Sequence, residues 1–415
     1  MQTSTLDILR CPYCGGRLSL VASEFHRRDA DEIEHGILGC QCCIFPIVSG
    51  IPVLHLLPAA TAARDHIQAG RPDLARRSMF GLDDDRHAAA FEEVAAVETS
   101  TYQQLVDAFG PSLEGGYFLY RFSDPTYIVA DAVVRAVAGT TLASGGRAVD
   151  LCGGSGHLTR SLLGLSSPPP VLADLYFAKV WLARRFTVPT SEAVCCDGNS
   201  PMPFARGAFR FAMCSDAFQF IWTKRQFIGE MARLIDGPGA PGTVLINHTH
   251  NEKVWSPSHG QPLTPEGYCD LFETLEPRLF AEANLFGDVV NGGPLDLSRQ
   301  ESAEALDRDP ALTIVATRRT DVYRSHVLPT PAGPRGELRL NPLYAAESHG
   351  DRVRLRLKFP DPDYEDEYGA CRQYLPETVE LDRGDVASLA DGHLRPELED
   401  LRRRRVIVDL PQRYY

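Results

Sequence analysis

Short apolar runs that each stop at a polar or acidic residue constrain this chain more than any other feature. Arg147 to Cys152 contains Asp150 and is followed by Gly153-Gly154-Ser155-Gly156 and a helical pattern from His157 to Leu163. Val171-Leu172-Ala173-Asp174 ends in an acid 24 residues after Asp150. Ala193 to Cys196 ends at Asp197-Gly198, and Phe209 to Cys214 precedes Ser215-Asp216-Ala217-Phe218. A helix from about Lys224 to Ile235 leads through Gly237, Gly239 and Gly242 to a fifth run, Thr243 to Asn247. Apolar runs of this kind alternating with helices suit parallel strands buried on both faces of an α/β sheet. The glycines let a ligand approach the backbone and a helix N-terminus. The acid ending the second run stands where such a sheet offers a carboxylate to ribose hydroxyls. One such acid is unremarkable as a cap; three ending successive runs point to a single ligand surface.

A nicotinamide site would favour G-x-G-x-x-G, and this loop lacks the third glycine. The residues instead resemble class I S-adenosylmethionine-dependent methyltransferases, in particular the type 11 group with D-x-x-x-G-x-G, an acid ending the second strand, then D-x-x-x-x-P-F. Asp150-Leu-Cys-Gly-Gly154-Ser-Gly156 carries the first element, Asp174 the second and Asp197-Gly-Asn-Ser-Pro-Met-Pro203-Phe204 the third. Glu230 to Gly237, Thr243 to Asn247, Leu263 to Tyr268 and Ala311 to Arg318 continue the match. The resemblance implies a Rossmann-like, seven-stranded methyltransferase sheet and S-adenosylmethionine as cofactor. It places Gly154 and Gly156 against the methionine part, with Asp150 shaping the loop. Asp174 then accepts from both ribose hydroxyls, and Asp197 and Gly198 meet the adenine edge.

Methyl transfer from a sulfonium needs alignment and exclusion of water, and a base where the acceptor is a hydroxyl or an ammonium. His248 and His250 follow the fifth run, with Trp255 and His259 further on, and are the candidate bases. The blander use of such histidines is hydrogen bonding or solvation at a strand end. Arg121 lies among Tyr117, Phe118, Tyr120, Phe122 and Tyr127 and is a candidate to pair with a ligand carboxylate on the cofactor side.

The first 43 residues hold five of the eleven cysteines. Cys11 and Cys14 form one C-x-x-C and Cys40 and Cys43 another, the spacing of a tetrahedral Zn²⁺ site. A domain this small needs the free energy of metal binding. With Pro46-Ile47-Val48 and Gly50-Ile51-Pro52-Val53-Leu54, the stretch resembles the zinc ribbon of the activator subunit that partners tRNA and release-factor methyltransferases. Cys42, adjacent to Cys43, is the alternative fourth ligand.

The chain thus divides into a zinc ribbon (1–58), a helical connector or cap (59–145), a methyltransferase domain (146–319) and a C-terminal α+β extension (320–415). The extension is expected to serve the acceptor and not the cofactor, with a strand at Val353 to Phe359 and a helix from Val386 to Arg405. The net charge of -13 and only four lysines disfavour a phosphate backbone as partner. Methylation of a small molecule or peptide in a specialised biosynthetic pathway is the leading expectation. RNA methylation and a non-catalytic scaffold are the alternatives. A protein partner would dock through the ribbon or the extension. No apolar run reaches the roughly 20 residues needed to span a bilayer, so a cytoplasmic protein without membrane contact is expected.

Overall fold

A computed structural model describes residues 1–22, 27–29, 31–110, 115–124, 126–256, 260–328, 336–369, 372 and 375–415. The apolar runs and two later segments form seven strands of one mixed sheet. These are β1 Ala148–Leu151, β2 Val171–Asp174, β3 Glu192–Cys195, β4 Phe211–Ser215, β5 Thr243–His250, β6 Pro277–Ala281 and β7 Ala311–Thr317. Their order is β3-β2-β1-β4-β5-β7-β6. β1 to β5 run parallel, and β7 is antiparallel to both of its neighbours. This is the methyltransferase-like sheet that the resemblance implies. The order reverses between β1 and β4, so the crevice beyond their carboxyl ends is where an open α/β sheet takes its ligand. Every residue of β1, β2 and β7 is buried, which is why the runs read as continuously apolar.

Three other parts of the chain close the sheet. The helix Thr126–Thr141 lies on one face, burying Val133 and Val137 with Phe211 and Leu245, and Thr141 Oγ1 sits 2.9 Å from Thr243 Oγ1. It is therefore a layer of the α/β domain and not the end of a separate connector. Phe118, Phe122 and Tyr127 are buried with it. The side chain of Tyr117, His259 and Cys371 lie outside the described residues.

The N-terminal ribbon is built of short antiparallel strands, chiefly Glu32–Gly39 paired with Ile44–Val48. It does not stand apart. Val53 pairs with Cys195 on the free edge of β3, where the Leu54 N–H donates to the Cys195 carbonyl at 2.7 Å. The Arg10 N–H donates to the Pro203 carbonyl at 2.8 Å. The ribbon thereby covers an edge that would otherwise be open to pairing with another chain.

In the C-terminal extension, Tyr344–His349, Arg352–Leu357 and Thr378–Asp382 form a three-stranded antiparallel sheet, and Glu337–Leu340 pairs with Ile407–Leu410. The single helix expected over 386–405 is broken into Arg383–Ala390 and Glu399–Arg403. Gly392 has a left-handed φ of 72°, and Pro396 cannot donate within a helix. Arg402 pairs with Glu399, and Arg403 and Arg404 with Asp400.

The extension also reaches the segment beside the glycine loop. Tyr414 stacks on Tyr102 at 4.5 Å between ring centroids. Its hydroxyl donates to the Phe118 carbonyl at 2.7 Å and lies 2.8 Å from His157 Nε2, just past the glycine loop. Arg160, on the segment that follows, pairs with Asp409 at 3.2 Å. The last residues of the described chain thus brace the segment that follows β1. Tyr414→Ala is expected to destabilise the fold by about 3–5 kcal/mol, by analogy with other large aromatic truncations in cores. Tyr414→Phe, which leaves two buried polar groups short of a partner, is expected to cost about 1–3 kcal/mol. Denaturant melts of the two variants check both figures.

Candidate active site

The carboxyl ends of the parallel strands open into a cleft of about 1750 Å³. On one side lies the loop after β1. Cys152, at φ 59°, and Gly154, at φ +55°, turn the chain sharply. A side chain at Gly153 would come within 2.6 Å of the Asp150 carboxylate, and one at Gly154 within 3.1 Å of the Phe118 ring. Both glycines line the cleft. Gly156 does not: a Cβ there would meet Val188 at 2.8 Å and Thr187 Oγ1 at 2.9 Å. Gly156 packs the loop on the segment after β2.

Asp150 accepts from Thr159 Oγ1 at 2.6 Å through Oδ2. Its Oδ1 is buried with no hydrogen-bond partner among the described residues. Burial pushes this carboxyl up to about 7. Asp174 accepts the Gly154 N–H at 2.9 Å and the Tyr176 N–H at 2.8 Å. Burial raises it above the usual carboxylate range, against the pull of Lys179 and these backbone donors. Lys179 lies between the Phe118 and Tyr176 rings, 4.4 and 4.5 Å from their centroids. Asp197 accepts the Asn199 N–H at 2.8 Å, and with Gly198 it lines the same wall. Sequence reasoning therefore brings Asp150, Gly154, Asp174, Asp197 and Gly198 to one surface.

The opposite side is shaped by an irregularity in β5. Against β7 the register shifts between Ile246 and Thr249, a bulge that re-aims a side chain. His248 at the bulge has φ 51°, and Asp216 at the end of β4 has φ 54°. Left-handed backbone at a non-glycine residue costs about 1–3 kcal/mol and persists only where surrounding structure enforces it. Here the Asp216 N–H donates to the Asn247 carbonyl at 3.0 Å. Glu282 also receives the His248 N–H at 2.8 Å, His248 Nδ1 at 2.7 Å and Thr313 Oγ1 at 3.1 Å. The His248 and His250 rings are 5.5 Å apart, and His250 Nδ1 is 3.2 Å from Ser256 Oγ.

Charge separates the two histidines. Burial opposes protonation of His248, but the carboxylates of Glu282 and then Asp216 overcome it and carry its value up to about 9. His250 is held below its ordinary value by burial and then by the His248 charge. Arg121, nominated for the cofactor side, is buried with Nη2 3.7 Å from Asp216 Oδ2 and Nη1 donating to Thr126 Oγ1 at 3.0 Å. Its charge is directed at the acid of the histidine side. Glu282, Asp216, Gly153 and Lys179 were not singled out from the sequence. Asp216 carries the same strand-end signal as the other three acids. Glu282 carries none, being 34 residues from His248 and adjacent only in space.

In the ribbon, one sulfur from each of Cys11, Cys14, Cys40 and Cys42 lies within 4.8 Å of the others. The separations Cys11–Cys42, Cys14–Cys40 and Cys40–Cys42 are 3.6, 3.7 and 3.5 Å. Tetrahedral zinc with bonds of about 2.3 Å sets sulfur–sulfur edges near ~3.8 Å, so this quartet fits zinc. Cys42, the alternative ligand, stands in this cluster, with the Cys43 sulfur 3.4 Å from its own. The turn closes through the Cys40 N–H to the Cys43 carbonyl at 3.0 Å, with Cys40 and Cys43 both packed against the core and Cys42 exposed.

No protein-family model matches the chain, and no curated protein matches it in sequence. Solved structures similar to it include a chain from the complex of the Haloferax volcanii Trm112 methyltransferase activator with a candidate methyltransferase. That likeness has 20% identity and a TM-score of 0.34 over 52% of this chain and 96% of the other. Geranyl diphosphate C-methyltransferase from Streptomyces coelicolor, solved with S-adenosyl-L-homocysteine, is similar at 14% identity and a TM-score of 0.32 over 43% of this chain and 73% of that one. The [4+2]-cyclase SpnF is similar at 14% identity and a TM-score of 0.33 over 46% and 80% of the two chains. Likenesses this weak add nothing to the fold read from the strand order. Among the described residues no helix is long and apolar enough to cross a membrane.

Two outcomes are expected. The raised His248 value means that its ion pair with Glu282 adds stability fully present below about pH 6.5, the ordinary value, and lost as pH rises through about 9. Denaturant melts should therefore show His248→Gln most destabilised near pH 6, with the gap to wild type narrowing at pH 9.5. In the ribbon, Cys42→Ser should lower zinc content measured by elemental analysis, while Cys43→Ser should leave it at about one per chain.

Proposed function

We propose that this chain is an S-adenosylmethionine-dependent methyltransferase acting on a small molecule or peptide. One observation carries the reading: the glycine loop, Asp150, Asp174 and Asp197-Gly198 line the same cleft as His248 and His250. The residues suit the cofactor. Asp150 Oδ1 is a buried acceptor without a protein donor, able to take an ammonium proton. Asp174 uses one acceptor site on each oxygen for backbone and keeps others for ribose hydroxyls, since a carboxylate offers about four. Gly154 lines the cleft without a side chain, where a Cβ would come within 3.1 Å of the Phe118 ring. When bound, the cofactor supplies an electrophilic methyl group on a sulfonium.

The rest falls to the protein, which must hold the acceptor in line with that methyl and exclude water. Phe220, Trp222 and Trp255 rim the cleft, and the two tryptophans are 72% and 84% exposed. They suit an acceptor with a flat apolar body. Asp366 and Tyr368 reach the cleft from the C-terminal extension, which supports its part in covering the acceptor. Of the two histidines, His250 is the one held neutral and able to take a proton, whereas His248 already carries one. Acids outnumber bases along the walls, which together with the net charge of -13 argues against RNA as the acceptor. Zinc in the ribbon would hold the cap on the β3 edge.

Calorimetry with S-adenosylmethionine tests the reading. Wild-type protein should bind it, and Asp174→Ala should weaken binding by about 1.5–3 kcal/mol per lost charge-assisted bond. Absence of binding at millimolar cofactor would remove the enzyme reading in favour of a scaffold.

A further inference from the structure

We propose that Asp216, His248 and His250 form a second metal site, in the cleft itself, which takes a divalent transition cation and through it an acceptor that chelates with two neighbouring oxygens. The proposal rests on the reading of the cleft as a methyl-transfer site and adds the chemical class of the acceptor.

One ligand atom from each of the three residues lies within 4.8 Å of the other two. Two imidazoles and one carboxylate suit zinc, iron(II), cobalt(II) or manganese(II), and three protein ligands leave positions open for a substrate. The surrounding residues are arranged as around a metal. A ligating histidine gives its other ring nitrogen to a fixed partner, which sets tautomer and orientation. His248 Nδ1 is held by buried Glu282 at 2.7 Å, itself anchored by Thr313, and His250 Nδ1 is met by Ser256 Oγ at 3.2 Å. Nε2 of each ring is the nitrogen that faces no printed partner, and on His248 a cation would have to displace the proton it carries when the ring is charged. Asp216 has Oδ2 toward Arg121 at 3.7 Å and Oδ1 toward Gln219 Nε2 at 3.4 Å.

The backbone supports the same conclusion. Among the described residues only six that are not glycine have positive φ, and Asp216 and His248 are two of them. Both line one cleft, His248 at the bulge within β5 and Asp216 just past the end of β4.

A three-ligand site with open positions binds a hydroxyl beside a carbonyl or a second hydroxyl more tightly than a lone hydroxyl, and the aromatic rim receives the flat body that carries them. The bound hydroxyl loses its proton to water. Its oxygen lone pair then forms the new bond to the methyl carbon, and the carbon–sulfur pair returns to sulfur as a neutral thioether. With the cation in place, His250 serves as ligand and no side chain need act as base.

The test uses the full chain with its ribbon zinc retained, titrated with Co²⁺ and followed by calorimetry and visible absorption. About one equivalent should bind and give ligand-field bands without the intense near-ultraviolet absorption of cobalt–thiolate bonds. His250→Ala and Asp216→Ala should each weaken uptake at least tenfold, and Glu282→Gln by about 10- to 100-fold, with thermal melts confirming that the variants fold. Acetohydroxamate, a two-oxygen chelator, should shift the bands, and acetamide should not. No uptake beyond the thiolate site, or uptake unchanged in both ligand variants, overturns the metal site; identical responses to the two probes overturn the chelating acceptor. S-adenosylmethionine binding is measured on the same samples. Cofactor binding without cobalt uptake defeats this proposal alone, and cobalt uptake without cofactor binding defeats the methyl-transfer reading alone.

Discussion

A parallel sheet must be covered on both faces and protected at its edges, and most of this molecule follows from that constraint. β1, β2 and β7 bury every residue, so apolar surface faces outward from the sheet in both directions. The helix Thr126–Thr141 covers part of one face, and the ribbon meets the free edge of β3 through Val53 and Leu54. The C-terminal strand Ile407–Leu410 contributes Val408 and Leu410 to the same core as Phe211 and Leu245. Segments that read as separate additions in the sequence are the cover that the sheet requires.

The cleft is where this covering stops. Its acids are expensive there, because burial disfavours a charge without partners, and each is stabilised differently. Asp174 is held by two backbone N–H groups and the nearby Lys179 charge. Asp150 has one hydroxyl donor, and its value rises accordingly. Glu282 is held below the usual carboxylate range despite its burial, His248 being its first compensating partner. The cofactor side therefore retains unspent acceptors, while the opposite side concentrates two imidazoles and two carboxylates. Such a division suits a reaction in which one half of the cleft binds and the other half handles the acceptor.

The tail and the ribbon show how structure redistributes roles. Tyr414 stands more than 250 positions from His157, yet the two side chains meet beside the glycine loop. A bulky aromatic at the end of a chain reads as unremarkable by itself. Stacked on Tyr102 and bonded to Phe118, it braces the wall beside the glycine loop.

What could be read from the sequence was whatever local chemistry imposes. Continuous apolar runs have to become buried strands, strand-end acids have to face the crevice, and paired cysteines on turns have to converge. Hence β1 to β5, Asp150, Asp174, Asp197 and three of the four clustered thiols were legible. Tertiary structure decided what depends on register and distance. Gly156 packs on Val188, and Cys42 joins the cluster of sulfurs in the place expected of its neighbour Cys43. Asp216 and His248 meet because a bulge against β7 shifts the register by one residue. Glu282 reaches them only because β6 and β7 bring a distant helix start to the same strand end. A one-residue shift reverses where a side chain points, and no local pattern in the chain records it.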